Sequence, residues 1–128
     1  TPCSLVETMS TSYAIESGKL VAREASSGTV LWFNEFGGCP VFKMLPLLDE
    51  GECLVLLDPG ASKQPTFENL LRVKTDGSVA WRAPLPRSHD AYADLLSTDA
   101  GIEARTWQGI RVLVNPTNGS VREVGFSK

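Results

Sequence analysis

What this sequence has little of narrows its fate more than what it has in plenty. Among 128 residues there are only 3 cysteines and 1 histidine. Cys3, Cys39 and Cys53 form an odd set without metal-ligand spacing, which argues against a disulfide framework and against a zinc site. Free thiols fit a reducing, cytoplasmic setting, and Thr1 as the first residue is equally consistent with a leader already removed. The 12 lysines and arginines, set against 15 acidic residues, are scattered singly. No basic stripe tracks a phosphate backbone, so nucleic acid is not an expected partner. Long apolar runs are missing too: stretches such as Cys53 to Leu57 fall far short of the ~20 residues that cross a bilayer as a helix, and no membrane association is expected.

Uninterrupted helical windows are also scarce, because 11 glycines and 8 prolines punctuate the chain. The best of them, Tyr92 to Leu96, is short and reads equally well as a strand. What remains is an ordinary globular composition, 42% hydrophobic and 21% charged with a net charge of −3. That is enough for one core, and residues 1–128 read as a single all-β domain.

The informative feature is a repeat. Three segments align, AREASSGTVLW from Ala22, RVKTDGSVAW from Arg72 and LVNPTNGSVRE from Leu113, with Gly28, Gly77 and Gly119 at the common position. Val30, Val79 and Val121 stand two residues after the glycine; Trp32, Trp81 and Glu123 stand four after it. Glycine supplies the positive φ of a tight turn between strands, and Asp76 or Asn118 just before it reinforces that reading in two copies. Gly18 precedes Gly28 by ten residues as Gly109 precedes Gly119, while Asp49-Glu50-Gly51 and Asp99-Ala100-Gly101 interrupt β-prone runs upstream.

The pattern predicts three four-stranded antiparallel meanders, over about 4–36, 40–85 and 90–127. In the first, strands are expected at Leu5–Met9, Tyr13–Ile15, Lys19–Glu24 and Thr29–Phe33. The second reads Val41–Leu48, Glu52–Leu57, Asn69–Lys74 and Ser78–Ala83, and the third Ala91–Ser97, Ile102–Trp107, Ile110–Asn115 and Ser120–Phe126. The third copy lacks the tryptophan, so its last strand is expected to close an end.

Ala22, Glu24, Gly28 and Trp32 together resemble the tryptophan-docking repeat of quinoprotein-type β-propeller blades. The likeness implies that these residues form the outer two strands of a blade, with the tryptophan packed on the neighbouring blade. The second copy matches with one residue fewer before Gly77, and the third keeps Leu113, Asn115 and Gly119 without the indole. The run from Glu68 to Lys128 also resembles short uncharacterised bacterial proteins of similar size. Propellers close with four to eight blades, and this chain holds three. The units are therefore expected either to close as a small barrel or propeller-like domain or to be completed by a homodimer.

Chemistry is sparse. Arg87-Ser88-His89-Asp90 contains the residue types of a hydrolase triad, but neighbours in extended chain alternate faces and do not converge. The Asp58–Glu68 connection is longer than the corresponding turn at Gln108-Gly109, and extra loop on a rigid sheet is where binding residues gather. Lys63, Gln64 and Phe67 in it, with Arg87, His89 and Asp90, are the candidate binding residues. Asp49-Glu50-Gly51-Glu52 lacks the alternating ligands of a calcium loop, Glu103 is expected to face water, and Cys39 reads as a linker residue. Trp32, Trp81 and Trp107, with Phe33 and Phe42, are expected in the core. No catalytic set and no cofactor fingerprint appears. The sequence points to a non-enzymatic binding or protein-interaction module, with a small-molecule pocket or enzyme near Arg87, His89 and Asp90, or a self-assembling subunit, as alternatives.

Overall fold

The computed structural model describes residues 11–47 and 51–126. Among these residues eleven strands follow one another in chain order: β1 Thr11–Glu16, β2 Lys19–Glu24, β3 Val30–Asn34, β4 Val41–Leu47, β5 Glu52–Leu57, β6 Leu70–Val73, β7 Val79–Arg82, β8 Tyr92–Thr98, β9 Gly101–Thr106, β10 Ile110–Val114 and β11 Val121–Phe126. The described residues contain no α-helix, only a 3-10 turn at Phe36–Gly38. Strands pair with their sequence neighbours into three antiparallel sheets, β1-β2-β3, β4-β5-β6-β7 and β8-β9-β10-β11. The first sheet thus shows three strands; the one expected at Leu5–Met9 lies outside the described residues. Among the described residues no ladder joins one sheet to the next, apart from an isolated parallel bridge between Phe67 and Ala91. A hydrogen-bonded barrel is accordingly not what these strands form: the facing surfaces of neighbouring sheets pack through side chains, with isolated backbone bonds such as Val41 N–H to the Gly18 carbonyl at their margins.

Strand alternation decides what each face does. β5 is buried along nearly its whole length, as a central strand covered on both sides must be. Its Cys53, Val55 and Leu57 join Leu71 and Val73 against Tyr13, Leu20 and Ala22 of the first sheet. Leu54, Leu56 and Leu70 turn the other way, onto Leu95, Ala104, Ile110, Val112 and Val114 of the third. The middle sheet is therefore the shared wall of two cores.

At the outer edge of both interfaces an indole lies on a glycine. Trp32 donates its Nε1–H to the Thr75 carbonyl at 2.7 Å, and its ring sits where a Cβ on Gly77 would come within 3.1 Å. Trp81 repeats the arrangement one sheet on, donating to the Pro116 carbonyl at 2.9 Å and covering Gly119 so closely that a Cβ there would lie 2.6 Å from the ring. Gly77 and Gly119 have φ of 90° and 80°, as the turn reading requires. Arg72 reinforces the second junction: its Nη1 donates to the same Pro116 carbonyl at 2.7 Å while Nε pairs with Glu52 at 2.5 Å. Tyr13 packs against Trp32 with ring centroids 5.9 Å apart and donates to the Gly51 carbonyl at 2.7 Å. Burial first, then the nearby Cys53 and Glu52, push its hydroxyl up to about 12.

A β-bulge aims these indoles. In β3 the register with β2 skips a residue between Val30 and Trp32, and in β7 the register with β6 skips one between Val79 and Trp81. A bulge of this kind turns the next side chain onto the other face. β11 has no skip there: Val121, Arg122 and Glu123 pair in unbroken succession with Val114, Leu113 and Val112, and the irregularity comes one pair later. Glu123 consequently shares a face with Val112, toward the middle sheet, where it forms a two-pronged ion pair with Arg87 at 2.9 and 3.1 Å. The third copy has lost both the tryptophan and the bulge that would present it.

Three aromatic expectations are corrected. Phe33 and Phe42 are 59% and 56% exposed and Trp107 is 74% exposed, so none belongs to the core. Phe33 lies on the face of the first sheet that no other described sheet covers. Trp107 follows the end of β9 and does not occupy the glycine-plus-four position that buries the other two indoles. Glu103 does not stand in water either; its side chain is mostly covered and lies 3.6 Å from Arg111 Nε.

The two neighbouring first strands of the second and third sheets are also tied by charge, Lys43 Nζ to Asp94 Oδ1 at 2.9 Å. Burial works to raise the Asp94 carboxyl, but the Lys43 hydrogen bond, the Leu95 amide and the Lys43 and Arg105 charges outweigh it and hold it below the usual range. A carboxyl depressed by folding stabilises the protein above its unfolded value and loses that contribution as pH falls through the folded value. Stability should therefore decline below about pH 4, and Asp94→Asn should flatten that acid limb in urea titrations run at a series of pH values.

The glycine sites make a graded test. At Gly28, φ is +75° but nothing among the described residues lies within 4 Å of the place an alanine methyl would take, so Gly28→Ala should cost about 1 kcal/mol, the backbone term alone. Gly119→Ala adds collision with the Trp81 ring and should cost roughly 2–4 kcal/mol, with Gly77→Ala between them. Urea unfolding of the three variants measures the order.

Candidate functional site

At the junction of the second and third sheets three segments run side by side and are laced by backbone hydrogen bonds. The Asp58–Asn69 connection leads from β5 to β6, the segment before β8 ends in Ser88–Ala91, and Trp107–Gly109 turns from β9 to β10. The Phe67 amide donates to the Asp90 carbonyl at 3.0 Å, the Trp107 amide to the Ala91 carbonyl at 2.8 Å, and the His89 amide to Thr66 Oγ1 at 3.0 Å. Gln108 Nε2 donates to the Ser88 and His89 carbonyls at 3.2 and 3.0 Å. These contacts hold His89 at φ 58°, a left-handed conformation that a non-glycine residue adopts only where its surroundings enforce it.

Beneath this lattice sits Asn69, fully buried. Its Nδ2 donates to the Leu57 and Tyr92 carbonyls, both at 2.8 Å, and its Oδ1 accepts from the Tyr92 amide at 2.7 Å. One side chain thereby bonds to backbone groups of both β5 and β8 at the sheet junction. Tyr92 is itself fully buried, donates its hydroxyl to the Pro84 carbonyl, and is held protonated by burial first and by the Asp90 and Glu68 charges.

Above the lattice is an open cleft of about 220 Å³. Pro59, Gly60, Gln64, Pro65 and Phe67 line it from the long connection, His89, Asp90 and Ala91 from the entry to β8, and Trp107 from the turn after β9. Asp90 is 5% exposed. Its Oδ1 accepts from the Ala91 and Gln108 amides at 2.9 and 3.2 Å, fixing the Trp107–Gly109 turn to the start of β8. Its Oδ2 is buried and has no hydrogen-bond partner among the described residues.

Four of the six residues singled out in the sequence, Gln64, Phe67, His89 and Asp90, thus meet in one place. Lys63 is exposed beside it but does not line it, and Arg87 is directed to Glu123. No triad forms: His89 is exposed, Asp90 is buried, and the hydrogen bonds of His89 run through its backbone. Trp107 is what sequence reasoning missed. Its offset from the repeat position was the available signal, since only an indole at glycine-plus-four has a neighbouring turn to cover.

Among the described residues no group of three or more His, Cys, Asp or Glu side chains is placed to hold a metal ion, and no helix is long and apolar enough to cross a membrane. Cys39 and Cys53 are free thiols. Burial pushes the Cys53 thiol up to about 12, which leaves it an inert core group.

No curated protein matches the chain. A family profile described as a domain of unknown function (DUF7957) matches residues 46–126. That span is well over half of the chain and contains β5 to β11 together with every residue that lines the cleft, while the first sheet lies outside it. The chain is a member of the DUF7957 family.

Proposed function

We propose that this chain is a non-enzymatic binding module that holds a small ligand, or one side chain of a protein partner, in the cleft beside Trp107. The observation that carries the reading is an indole 74% exposed to solvent at the rim of a concave, proline- and phenylalanine-walled site with a buried carboxylate in its wall. Exposed aromatic surface is costly to leave in water, and a concave apolar site with few polar groups is the usual form of a ligand pocket. The geometry favours recognition over catalysis, because Asp90 is occupied in structure through Oδ1 and His89 is engaged through its backbone.

The packing of Trp32 on Gly77 and Trp81 on Gly119 supports reading the three sheets as blade-like units of the tryptophan-docking kind. In this role they are scaffold: they hold the three cleft segments in register. The charges support a partner other than nucleic acid, since Lys19, Arg23, Lys43 and Arg87 are paired with Glu35, Glu16, Asp94 and Glu123.

A thermal-shift screen across amines, amino acids, sugars, nucleosides and organic acids tests the reading. One class should raise the melting temperature, since a ligand at a hundred times its Kd stabilises by about 2.7 kcal/mol. Trp107→Ala should abolish that shift while leaving the unliganded melting point nearly unchanged. A flat response to every class at millimolar concentration would sink the proposal.

A second reading, self-association, has its own observation. Val30, Leu31 and Phe33 are 49%, 49% and 59% exposed on the first sheet, and adjoining apolar side chains that no other described sheet covers invite a like surface. A twofold dimer through this sheet should appear near 28 kDa, twice the 13.8 kDa chain, by light scattering at micromolar concentration, and Phe33→Glu should return it to monomer.

A further inference from the structure

We infer that the cleft recognises a guanidinium group, presented either by a free small molecule or by an arginine side chain of a partner. The inference rests on the cleft being a binding site and specifies what it binds. Asp90 is the starting point. A carboxylate that is 5% exposed and has one buried oxygen without a partner among the described residues carries an uncompensated demand for a donor, and a charged donor meets it best. Arg87, the cation nearest in sequence, is committed to Glu123, and neither Lys63 nor any other lysine or arginine among the described residues lines the site.

The other walls suit the same group. Trp107 and Phe67 offer aromatic faces, on which a planar cation is held electrostatically by the ring quadrupole. Guanidinium fits that setting better than ammonium, because it stacks as a plate and still directs in-plane N–H groups at a carboxylate. Pro59, Pro65 and Ala91 provide apolar surface for an alkyl stem. At about 220 Å³ the cleft is smaller than the roughly 300–1,000 Å³ typical of drug-sized ligands, which suits one side chain and excludes a long peptide lying in it. A neutral sugar would also stack on the indole, but its hydroxyls form weaker hydrogen bonds to a desolvated carboxylate than a cation does.

The test uses the whole chain, followed by ¹H–¹⁵N spectra with the Trp107 indole and the Gln108 amide as reporters. Five probes are titrated: Nα-acetyl-arginine amide, the capped tripeptide Gly-Arg-Gly, the citrulline counterpart of each, and glucose. The arginine probes should shift both resonances saturably, and the citrulline probes should bind at least tenfold more weakly. Asp90→Asn, checked for an unchanged fold by its dispersed spectrum, should weaken arginine binding at least tenfold. Trp107→Ala, at an exposed position, should do the same with no effect on folding, and Trp107→Phe should keep most of the affinity. Equal affinity of amide and tripeptide would identify the side chain alone as ligand, and tighter binding of the tripeptide would point to a protein partner; either supports the inference. Citrulline binding as tightly as arginine, or glucose alone shifting the reporters, would overturn the cation while leaving the cleft as a binding site. If none of the probes moves these resonances at millimolar concentration, the guanidinium is ruled out; the broader reading of the cleft then stands or falls on the compound screen.

Discussion

An indole resting on a glycine is the contact on which the rest of this molecule depends. Each sheet is too thin to bury both of its faces alone, and each gains cover only from its neighbour. Trp32 and Trp81 fix how the neighbour sits, because the ring must lie flat on a turn that has no Cβ while its N–H finds a particular carbonyl. Both demands together leave little freedom of tilt or slide. The glycine serves two purposes, permitting the left-handed turn and leaving room for the ring, which is why the same residue recurs at the same place. The bulge before each tryptophan is the third part of the device, since without it the side chain would point to the wrong side of its strand.

The cleft is a product of this docking. Its three segments belong to different sheets, so their distances are set by how the second and third sheets meet. Asn69 then locks the junction from beneath by bonding to both β5 and β8, and Asp90 ties it from above, its carbonyl accepting from the Phe67 amide while its side chain grips the turn after β9. A rigid floor under an exposed aromatic is the arrangement that lowers the ordering cost of binding.

Much of this was legible in the sequence, for physical reasons. Turn glycines, the alternation around them and the matched spacings are local signals, and they placed ten of the expected strands close to the observed ones; the eleventh observed strand, β1, extends a little beyond Tyr13–Ile15 at both ends. The long connection and the Arg87–Asp90 run marked the cleft because loop length and polar residues out of strand context are also local. What was not legible depends on register. Glu123 stands at the tryptophan position in sequence, yet a missing bulge turns it to Arg87. Trp107 looks like a third core indole until its strand is seen to stop at Thr106. Phe33 alternates correctly with Trp32, but whether its face is covered is a property of the assembly and not of the strand.

The change at Glu123 gives the stack a direction. The first sheet still carries a turn of the right form, with Ala25 in the place of Thr75 and Pro116 and with Gly28 uncovered among the described residues. The third sheet, at the opposite end, has no indole to offer such a turn. Among the described residues the docking device therefore runs one way only, each indole reaching forward to the turn of the following sheet, and it stops at the third sheet, where a carboxylate on an unbulged strand reaches back to Arg87 instead.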